Sequence, residues 1–326
     1  MTACWTPRAS NEEVSGSVLS QLQSQTAGLD ALGMKIKGDT ATFEASWDAP
    51  KEVHRPMLWI NELPAVNCSV NGGPVFPVIV DTGSQGCVLE ASTAVERKVQ
   101  IVNPSDIHFT LSGIAGSENA LMGLPDLVKI GDWKMSRFPL LVRTRQSQVS
   151  MGLPFYNKRF SFNVWGMDPT KRLCSYLTLD YPRREVIFGF SGNYKPVHRL
   201  RWRTQLHYYQ GLPQLTLHSQ GVTWQAIVDT GASSLLELNE DTARRMHVPM
   251  IKADATRIGL GGSLGPSQAP CMVARLDRLE GIGPKLANPY AMVVNDYSKV
   301  GTGLLQGFRV TFDFASNQFW VEDDRT

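Results

Sequence analysis

The sequence lacks the features that mark several large classes of protein. Its 326 residues contain no apolar run long enough to cross a membrane as a helix. The formal net charge is only +2 at pH 7, so no strong field attracts nucleic acid or an anionic membrane. The phosphate-binding pattern GxxxxGK with Ser or Thr, and the zinc-protease pattern HExxH, are both missing. These absences argue against a membrane-spanning protein, a nucleic-acid-binding protein, a P-loop enzyme and a zinc protease of that type.

Cysteine is scarce and irregularly placed. The five cysteines, at positions 4, 68, 87, 174 and 271, form no CxxC pair and have no histidine at zinc-ligand spacing. We therefore predict no metal site and no cofactor. For Cys87 we favour a small buried apolar side chain over a disulfide partner, and the pairing of the cysteines stays open.

What the sequence does contain is one pattern that occurs twice. Residues 78–84 are Val-Ile-Val-Asp-Thr-Gly-Ser, and residues 226–232 are Ala-Ile-Val-Asp-Thr-Gly-Ala. Each is a β-branched apolar run, typical of a buried strand, that ends in an acid, a hydroxyl and a glycine. One Asp-Thr-Gly would occur by chance in roughly one chain in ten or twenty of this length. Two copies behind matching strands indicate a duplicated site.

The repeat extends into an internal duplication of the chain. Asp229 lies 148 residues after Asp81, and later blocks match in the same order, for example 177–181 with 310–314. Both copies continue into a short helical pattern, for which we predict a capping residue at Ser92 or Thr93 and at Asn239. The chain is thus predicted to be all-β dominated, with two homologous lobes and a cleft between them.

The predicted domain organisation follows from this repeat. It comprises an N-terminal extension, partly disordered, over residues 1–55, a first lobe over 56–192, a linker over 193–204 and a second lobe over 205–326. Basic residues alternate along 199–203. That period of two favours a strand with one solvent-exposed face over a binding patch.

The two Asp-Thr-Gly turns resemble the active-site turns of the aspartic proteases, both the bilobal pepsin-like and the retroviral-type enzymes. The surrounding sequence is closer to the retroviral-type bacterial proteins, and the resemblance covers about residues 57–326. It implies two acid-protease-type β-barrel lobes with the active-site cleft between them. It also implies an aspartic endopeptidase that acts on a peptide or protein substrate as a monomer, because one chain supplies both halves.

The implied chemistry requires a pair of acids, here Asp81 and Asp229. Two carboxylates a few ångströms apart cannot both ionise easily, so one keeps a proton. The ionised member takes a proton from water, while the protonated member hydrogen-bonds the carbonyl group under attack. Which residue holds the proton stays open at this point, because the pair titrates together.

The resemblance also assigns supporting roles around the acids. Gly83 and Gly231 are expected to let the backbone turn sharply and to present amides to the carboxylates. Thr82 and Thr230 are expected to cross-link the two turns through their hydroxyls, and Ser84 to hydrogen-bond a carboxylate. At the position that matches Ser84 the second turn has Ala232, which has no hydroxyl.

Other family features are present only in part. The glycine hairpin over 111–116, with Gly113 and Gly116 as flap candidates, lacks the aromatic residue of the pepsin-like flap. The family packs two apolar residues and a glycine beneath each turn, and 164–166 (Val-Trp-Gly) fits this pattern. In the second half 300–303 (Val-Gly-Thr-Gly) fits it poorly.

A catalytically silent peptide-binding protein on the same fold is the alternative function. The retention of both aspartates and both threonines argues against it, while the missing flap aromatic keeps it open.

Residues 261–265 match the GxSxG pattern of serine hydrolases, but Pro266 and Pro270 oppose the helix that a nucleophile elbow needs. A glycine-rich hairpin is favoured there.

The N-terminus allows two interpretations of location. The residues before Cys4 include no basic region and no apolar region of a secretory signal. The run Thr-Ala-Cys resembles the end of a bacterial lipoprotein cleavage box. If translation starts further upstream, Cys4 is lipidated and tethers an exported protein; if Met1 is the start, the protein is cytoplasmic.

Overall fold

The computed structural model describes residues 8–27, 31, 35–37, 40–42, 45–60, 62–102, 109–113, 116–150, 157–159, 163–259, 267–283 and 286–323. The predictions for Cys4, for the tip of the 111–116 hairpin at 114–115 and for the glycine-rich stretch 261–265 fall outside these ranges. No helix of the described part is long and apolar enough to span a membrane.

Strands dominate the described residues. Up to residue 102 the elements are β1 (Arg8–Glu13), α1 (Gly16–Ser24), β2 (Thr26–Ala27), β3 (Lys35–Lys37), β4 (Thr40–Thr42), β5 (Ser46–Asp48), β6 (Glu52–Pro56), β7 (Leu58–Ile60), β8 (Leu63–Val70), β9 (Phe76–Val80), β10 (Val88–Glu90), α2 (Ala91–Glu96) and β11 (Gln100–Val102). The rest of the first half contains β12 (Phe109–Gly113), β13 (Gly116–Leu124), β14 (Leu127–Ile130), β15 (Trp133–Ser136), β16 (Leu140–Arg143), β17 (Arg145–Ser150), β18 (Asn157–Arg159), β19 (Val164–Trp165), α3 (Met167–Leu173), β20 (Tyr176–Asp180) and β21 (Glu185–Gly189).

The second half has fewer elements of the same kinds. They are β22 (Arg199–Gln205), β23 (His207–Tyr209), β24 (Leu212–Ser219), β25 (Val222–Asp229), β26 (Leu236–Asn239), α4 (Glu240–Arg245), β27 (Met250–Gly259), β28 (Ser267–Arg275), β29 (Arg278–Leu279), β30 (Leu286–Ala287), β31 (Tyr290–Val294), β32 (Lys299–Gly301), α5 (Thr302–Leu305), β33 (Arg309–Asp313) and β34 (Gln318–Asp323).

The strand order repeats in the two halves. Part of a 13-stranded sheet runs β13-β16-β10-β19-β9-β8, and the 8-stranded sheet contains the run β28-β31-β26-β32-β25-β24. These orders match strand for strand, and in both runs the strand leading into Asp-Thr-Gly lies between a parallel neighbour and an antiparallel one. The structure thus confirms the predicted duplication and the strand-dominated fold.

Each site-bearing strand is delivered by a tight hairpin. β8 and β9 are joined through Asn71 and Gly72, whose φ angles are 51° and 72°, and β24 and β25 through Gln220 and Gly221, at 46° and 74°. A positive φ at both central positions is the requirement of a type I′ turn, which asparagine and glycine meet at little steric cost. The run Asn-Gly in the first half is typical of such a hairpin.

A third sheet of six strands, in the order β22-β34-β33-β20-β21-β6, joins the two halves. At its centre β20 and β33 are antiparallel with Thr178 opposite Thr311, and their buried hydroxyls are 2.8 Å apart. The sheet's outer strands β6 and β22 come from the stretches assigned above to the extension and the linker. As predicted, 199–203 is part of a strand, and it pairs with β34.

The core of the first half is rich in aromatic side chains. Trp133 is fully buried and contacts Trp165, Phe188 and Phe190 with ring centroids 5.0–5.3 Å apart. Aromatic pairs of this kind contribute about 0.5–1.5 kcal/mol beyond the area that they bury. Because Trp165 lies in the strand parallel to β9, this packing supports the first Asp-Thr-Gly turn from beneath.

Two local predictions had different outcomes. Asn239 caps α4 as predicted, since its Oδ1 accepts from the backbone N–H of Asp241 at 3.0 Å. The prediction for α2 was wrong, because that helix begins after Glu90, without a side-chain cap, so Ser92 and Thr93 already lie inside it. Cys87 is a free, buried thiol, as favoured above, and so are Cys68 and Cys174.

Candidate active site

The two aspartates meet where β9 and β25 end. The carboxyl groups of Asp81 and Asp229 share a hydrogen bond, and Asp229 is only 5% exposed. Each carboxylate Oδ1 also accepts the N–H of the glycine two residues on, from Gly83 at 2.8 Å and from Gly231 at 2.9 Å. The predicted pair is therefore brought together, and its two members are held in matching ways.

The two glycines are needed for a reason that differs from the predicted one. Neither of them has a positive φ, so a sharp turn is not what selects glycine here. A Cβ at Gly83 would lie 2.3 Å from Cγ of Asp229, and a Cβ at Gly231 would lie 2.4 Å from Cγ of Asp81. Each half therefore needs glycine so that the carboxyl group of the other half can approach.

The threonines cross-link the halves, as expected. Thr82 Oγ1 donates to the carbonyl oxygen of Val228 at 2.5 Å, and Thr230 Oγ1 donates to that of Val80 at 2.6 Å. Each hydroxyl also accepts the backbone N–H of the other threonine, at 3.0 and 3.1 Å. Both side chains are fully buried, so four hydrogen bonds join the two turns away from water.

The role predicted for Ser84 is not what the structure has. Its hydroxyl donates to the backbone carbonyl of Gly86 at 3.0 Å, within its own loop. A serine has a single hydroxyl proton, so while it makes this bond it cannot donate to a carboxylate. Ser84 thus stabilises the loop after the turn.

A strand and a glycine lie beneath each turn. In the first half these are Trp165 and Gly166, as predicted. In the second half the equivalent residues are Lys299, Val300 and Gly301, and the lysine in the first of these positions explains why the family pattern fits poorly there. A Cβ on Gly166 would lie 2.2 Å from the oxygen of Gly86, and one on Gly301 would lie 2.1 Å from that of Ser234.

Lys299 is the site residue that the sequence reasoning missed. Its Nζ lies 2.9 Å from Oδ2 of Asp229, and the two side chains are only 10% and 8% exposed. The available signal was a lysine directly before Val300, where the first half has the apolar Val164. Only the pairing of β32 with β25 shows that this lysine reaches the acid pair.

The electrostatics of the pair follow from burial and from these contacts. Loss of water contact raises the pKa of Asp81 well above its ordinary value, and the neighbouring carboxylate of Asp229 adds to the rise. The N–H of Gly83 and the charge of Lys299 oppose it in part. One proton is therefore retained on the pair far above the pH at which a free aspartate ionises. Among the described residues no group of three or more potential ligands is placed to hold a metal ion.

The hairpin proposed as a flap is present. Strands β12 and β13 pair up to Gly113 opposite Gly116, so the loop between them has two residues. The corresponding second-half strands β27 and β28 also pair, with their connection outside the described ranges. Coverage of the acid pair by either hairpin stays a prediction.

Comparison with known proteins agrees with this site. The model of a family described as "Aspartyl protease" matches residues 66–155, a stretch that includes the first Asp-Thr-Gly turn. The structure of an aspartic proteinase from Irpex lacteus matches with a TM-score of 0.51, over 83% of this chain and 97% of that one. The partial family match and the fold are thus similar to those of the aspartic proteases. At 13% identity the structural match shows the fold alone, and no curated protein matches this chain in sequence.

Proposed function

We propose that this chain is an aspartic endopeptidase in which Asp81 and Asp229 together activate one water molecule against a peptide bond. The observation that carries the proposal is the hydrogen-bonded carboxyl pair, with Asp229 buried and Asp81 part-buried, held in matching ways by the two halves. The shared fold and family support a protease in general.

The reaction follows from a pair that holds one proton. The carboxylate removes a proton from water as the water oxygen attacks the carbonyl carbon of the substrate. The carboxylic acid at the same time transfers its proton to the carbonyl oxygen. The resulting tetrahedral diol collapses when a proton reaches the amide nitrogen and the carbon–nitrogen bond breaks. The pair then holds one proton again, so no cofactor is consumed.

We further propose that the substrate is a peptide or protein and that one chain is sufficient. Both acids and both threonines are supplied by a single chain, and the halves are joined by the six-stranded sheet. The enzyme therefore does not need the dimerisation by which retroviral-type enzymes collect two turns. Within the family this makes it a single-chain, bilobal enzyme, in which either glycine hairpin could serve as the flap.

One observation favours the alternative of a silent peptide-binding protein. Nζ of Lys299 lies 2.9 Å from Oδ2 of Asp229, so this carboxylate oxygen is already engaged in an ion pair. An acid pair whose oxygen is held in this way and not offered to water would bind a peptide without cutting it.

The deciding experiment replaces each acid by its near-isosteric amide. Asp81→Asn and Asp229→Asn should each reduce kcat/KM on a fluorogenic peptide library by about 10²- to 10⁴-fold. The double variant should lose little more, because the two acids act as a unit. Asp132→Asn, at an exposed turn, is the control and should keep wild-type activity. Full activity in Asp229→Asn alongside a dead Asp81→Asn would refute the pair. Binding of a statine peptide without cleavage of any library member would favour the silent binder.

A further inference from the structure

The two halves of the site differ in one buried charge. Strand β32 pairs with β25 as β19 pairs with β9, with Lys299 beside Ile227 and Val164 beside Ile79. Ile227 and Ile79 are equivalent in the duplication, so Lys299 takes the place of Val164. A strand position that is apolar in the first half thus has an ammonium group in the second.

A second substitution accompanies the first. Glu237 lies directly opposite Lys299 across strands β26 and β32, and the residue opposite Val164 in the first half is the apolar Val88. Glu237 is 3% exposed. A single unpaired charge in the interior is strongly unfavourable, so a lysine and a glutamate that face each other there offset much of each other's desolvation penalty. The first half shows that the fold itself needs neither charge.

The groups that face the ammonium are all acidic. Asp229 contacts it directly, Glu237 faces it from β26, Asp296 contributes from the loop before β32, and Asp81 acts on it from the first turn. Burial by itself would lower the pKa of Lys299, but the carboxylates of Asp229 and Glu237 reverse this effect and raise it above its ordinary value. Lys299 therefore stays charged throughout the range in which the acid pair titrates.

The hydrogen bonds of the two acids are correspondingly unequal. Both oxygens of Asp229 accept from nitrogen, Oδ1 from Gly231 and Oδ2 from Lys299. In the part of the chain that the structure describes, the hydrogen bond from nitrogen to Asp81 reaches Oδ1 only. A carboxylate with two N–H donors is stabilised in its ionised form, whereas Oδ2 of Asp81 is the oxygen that can carry the shared proton.

We propose that Lys299 is a positioning residue that decides which acid carries the proton, keeping Asp229 ionised and leaving the proton on Asp81. This inference rests on the proposed function for its catalytic meaning. Asp229 then takes the proton from water, and Asp81 donates its proton to the substrate carbonyl. The order of titration itself is a property of the folded protein and can be measured without turnover.

The test uses Lys299→Met, which keeps an unbranched side chain one heavy atom shorter and removes its charge. Side-chain carboxyl resonances of ¹³C-labelled aspartate, assigned with Asp81→Asn and Asp229→Asn, report each acid's titration. In the wild-type protein Asp229 should ionise at lower pH than Asp81. In Lys299→Met the pair should bind its protons more tightly, because the ammonium group no longer favours the ionised carboxylate. Lys134→Met, at an exposed strand position, is the matched control and should titrate as wild type.

The kinetic measurement adds a readout that a purely structural role would not move. Both limbs of the pH profile of kcat/KM should shift to higher pH in Lys299→Met, because loss of the positive charge raises both macroscopic pKa values of the pair. If Lys299→Met does not fold because Glu237 loses the ammonium group opposite it, Lys299→Met with Glu237→Leu places an apolar pair there and should show the same shift.

The possible failures can be told apart. A wild-type protein that cleaves no peptide but shows Asp229 ionising first refutes the protease and keeps the role of Lys299. An active protease in which Asp81 ionises first, or in which a folded lysine variant titrates and cleaves with the wild-type pH dependence, refutes the role of Lys299 alone.

Discussion

Replacing Thr82 by valine removes one hydroxyl from the buried contact between the two turns. The change keeps the shape of the side chain, but the carbonyl oxygen of Val228 loses its donor and the N–H of Thr230 loses its acceptor. Each buried polar group left without a partner costs about 1–3 kcal/mol. We therefore expect Thr82→Val to lower the free energy of unfolding by about 2–6 kcal/mol, a large share of the 5–15 kcal/mol typical of a folded protein.

The chain contains a matched control in the six-stranded sheet. Thr178 and Thr311 are also fully buried and also face each other across the two halves, with their hydroxyls 2.8 Å apart. Thr311 also hydrogen-bonds Tyr194, but the hydroxyl of Tyr194 keeps Glu322 and Arg309 as partners without it. Removing both partners of one hydrogen bond leaves nothing unsatisfied and is close to neutral. The double variant Thr178→Val with Thr311→Val should therefore change stability by less than about 1 kcal/mol.

The corresponding double variant at the site should behave differently. Thr82→Val with Thr230→Val leaves four buried backbone groups without partners, namely two N–H groups and the carbonyls of Val80 and Val228. Urea unfolding followed by tryptophan fluorescence measures both double variants, with an unchanged slope confirming that the same surface unfolds. Equal stability losses in the two double variants would refute the argument that these hydroxyls hold the halves together.

Three further outcomes are expected. Burial raises the pKa of Asp81 above 3.8, so the stability that the protonated acid contributes is complete below pH 3.8 and is lost as pH rises through the raised pKa. Asp81→Asn has no such charge to bury. Calorimetry should therefore show Asp81→Asn melting at a higher temperature than wild type at pH 8 but not at pH 3. Gly301→Ala would place a Cβ 2.1 Å from the oxygen of Ser234 and should abolish activity and lower the melting temperature, whereas Gly307→Ala, in open space, should do neither. Activity per molecule should stay constant on dilution into the nanomolar range, and sedimentation that shows an obligate dimer would contradict it.

The parts of the site that could be predicted were those encoded in short stretches. An apolar β-branched run followed by Asp-Thr-Gly predicts a strand and a turn wherever it stands, and Asn71 with Gly72 predicts a hairpin because only a few residue types accept a positive φ. Asn239 predicted a helix start for an equally local reason, since its side chain bonds amides two and three residues on. The same rule failed at α2, where the strand continues directly into the helix.

The parts that could not be predicted depend on which strands lie side by side. That β6 and β22 complete a sheet between the halves is decided by strands far away in the chain, and the alternation of 199–203 predicts a strand without naming its partner.

By itself, then, the sequence determined that two similar halves each carry a strand, an acid and a glycine, because these follow from local residue patterns repeated 148 residues apart. Only the tertiary structure decided that each glycine makes room for the opposite acid, that Ser84 bonds its own loop, and that Lys299 contacts Asp229. These contacts depend on distances of a few ångströms across strands that are remote in the chain, and no local pattern specifies such distances.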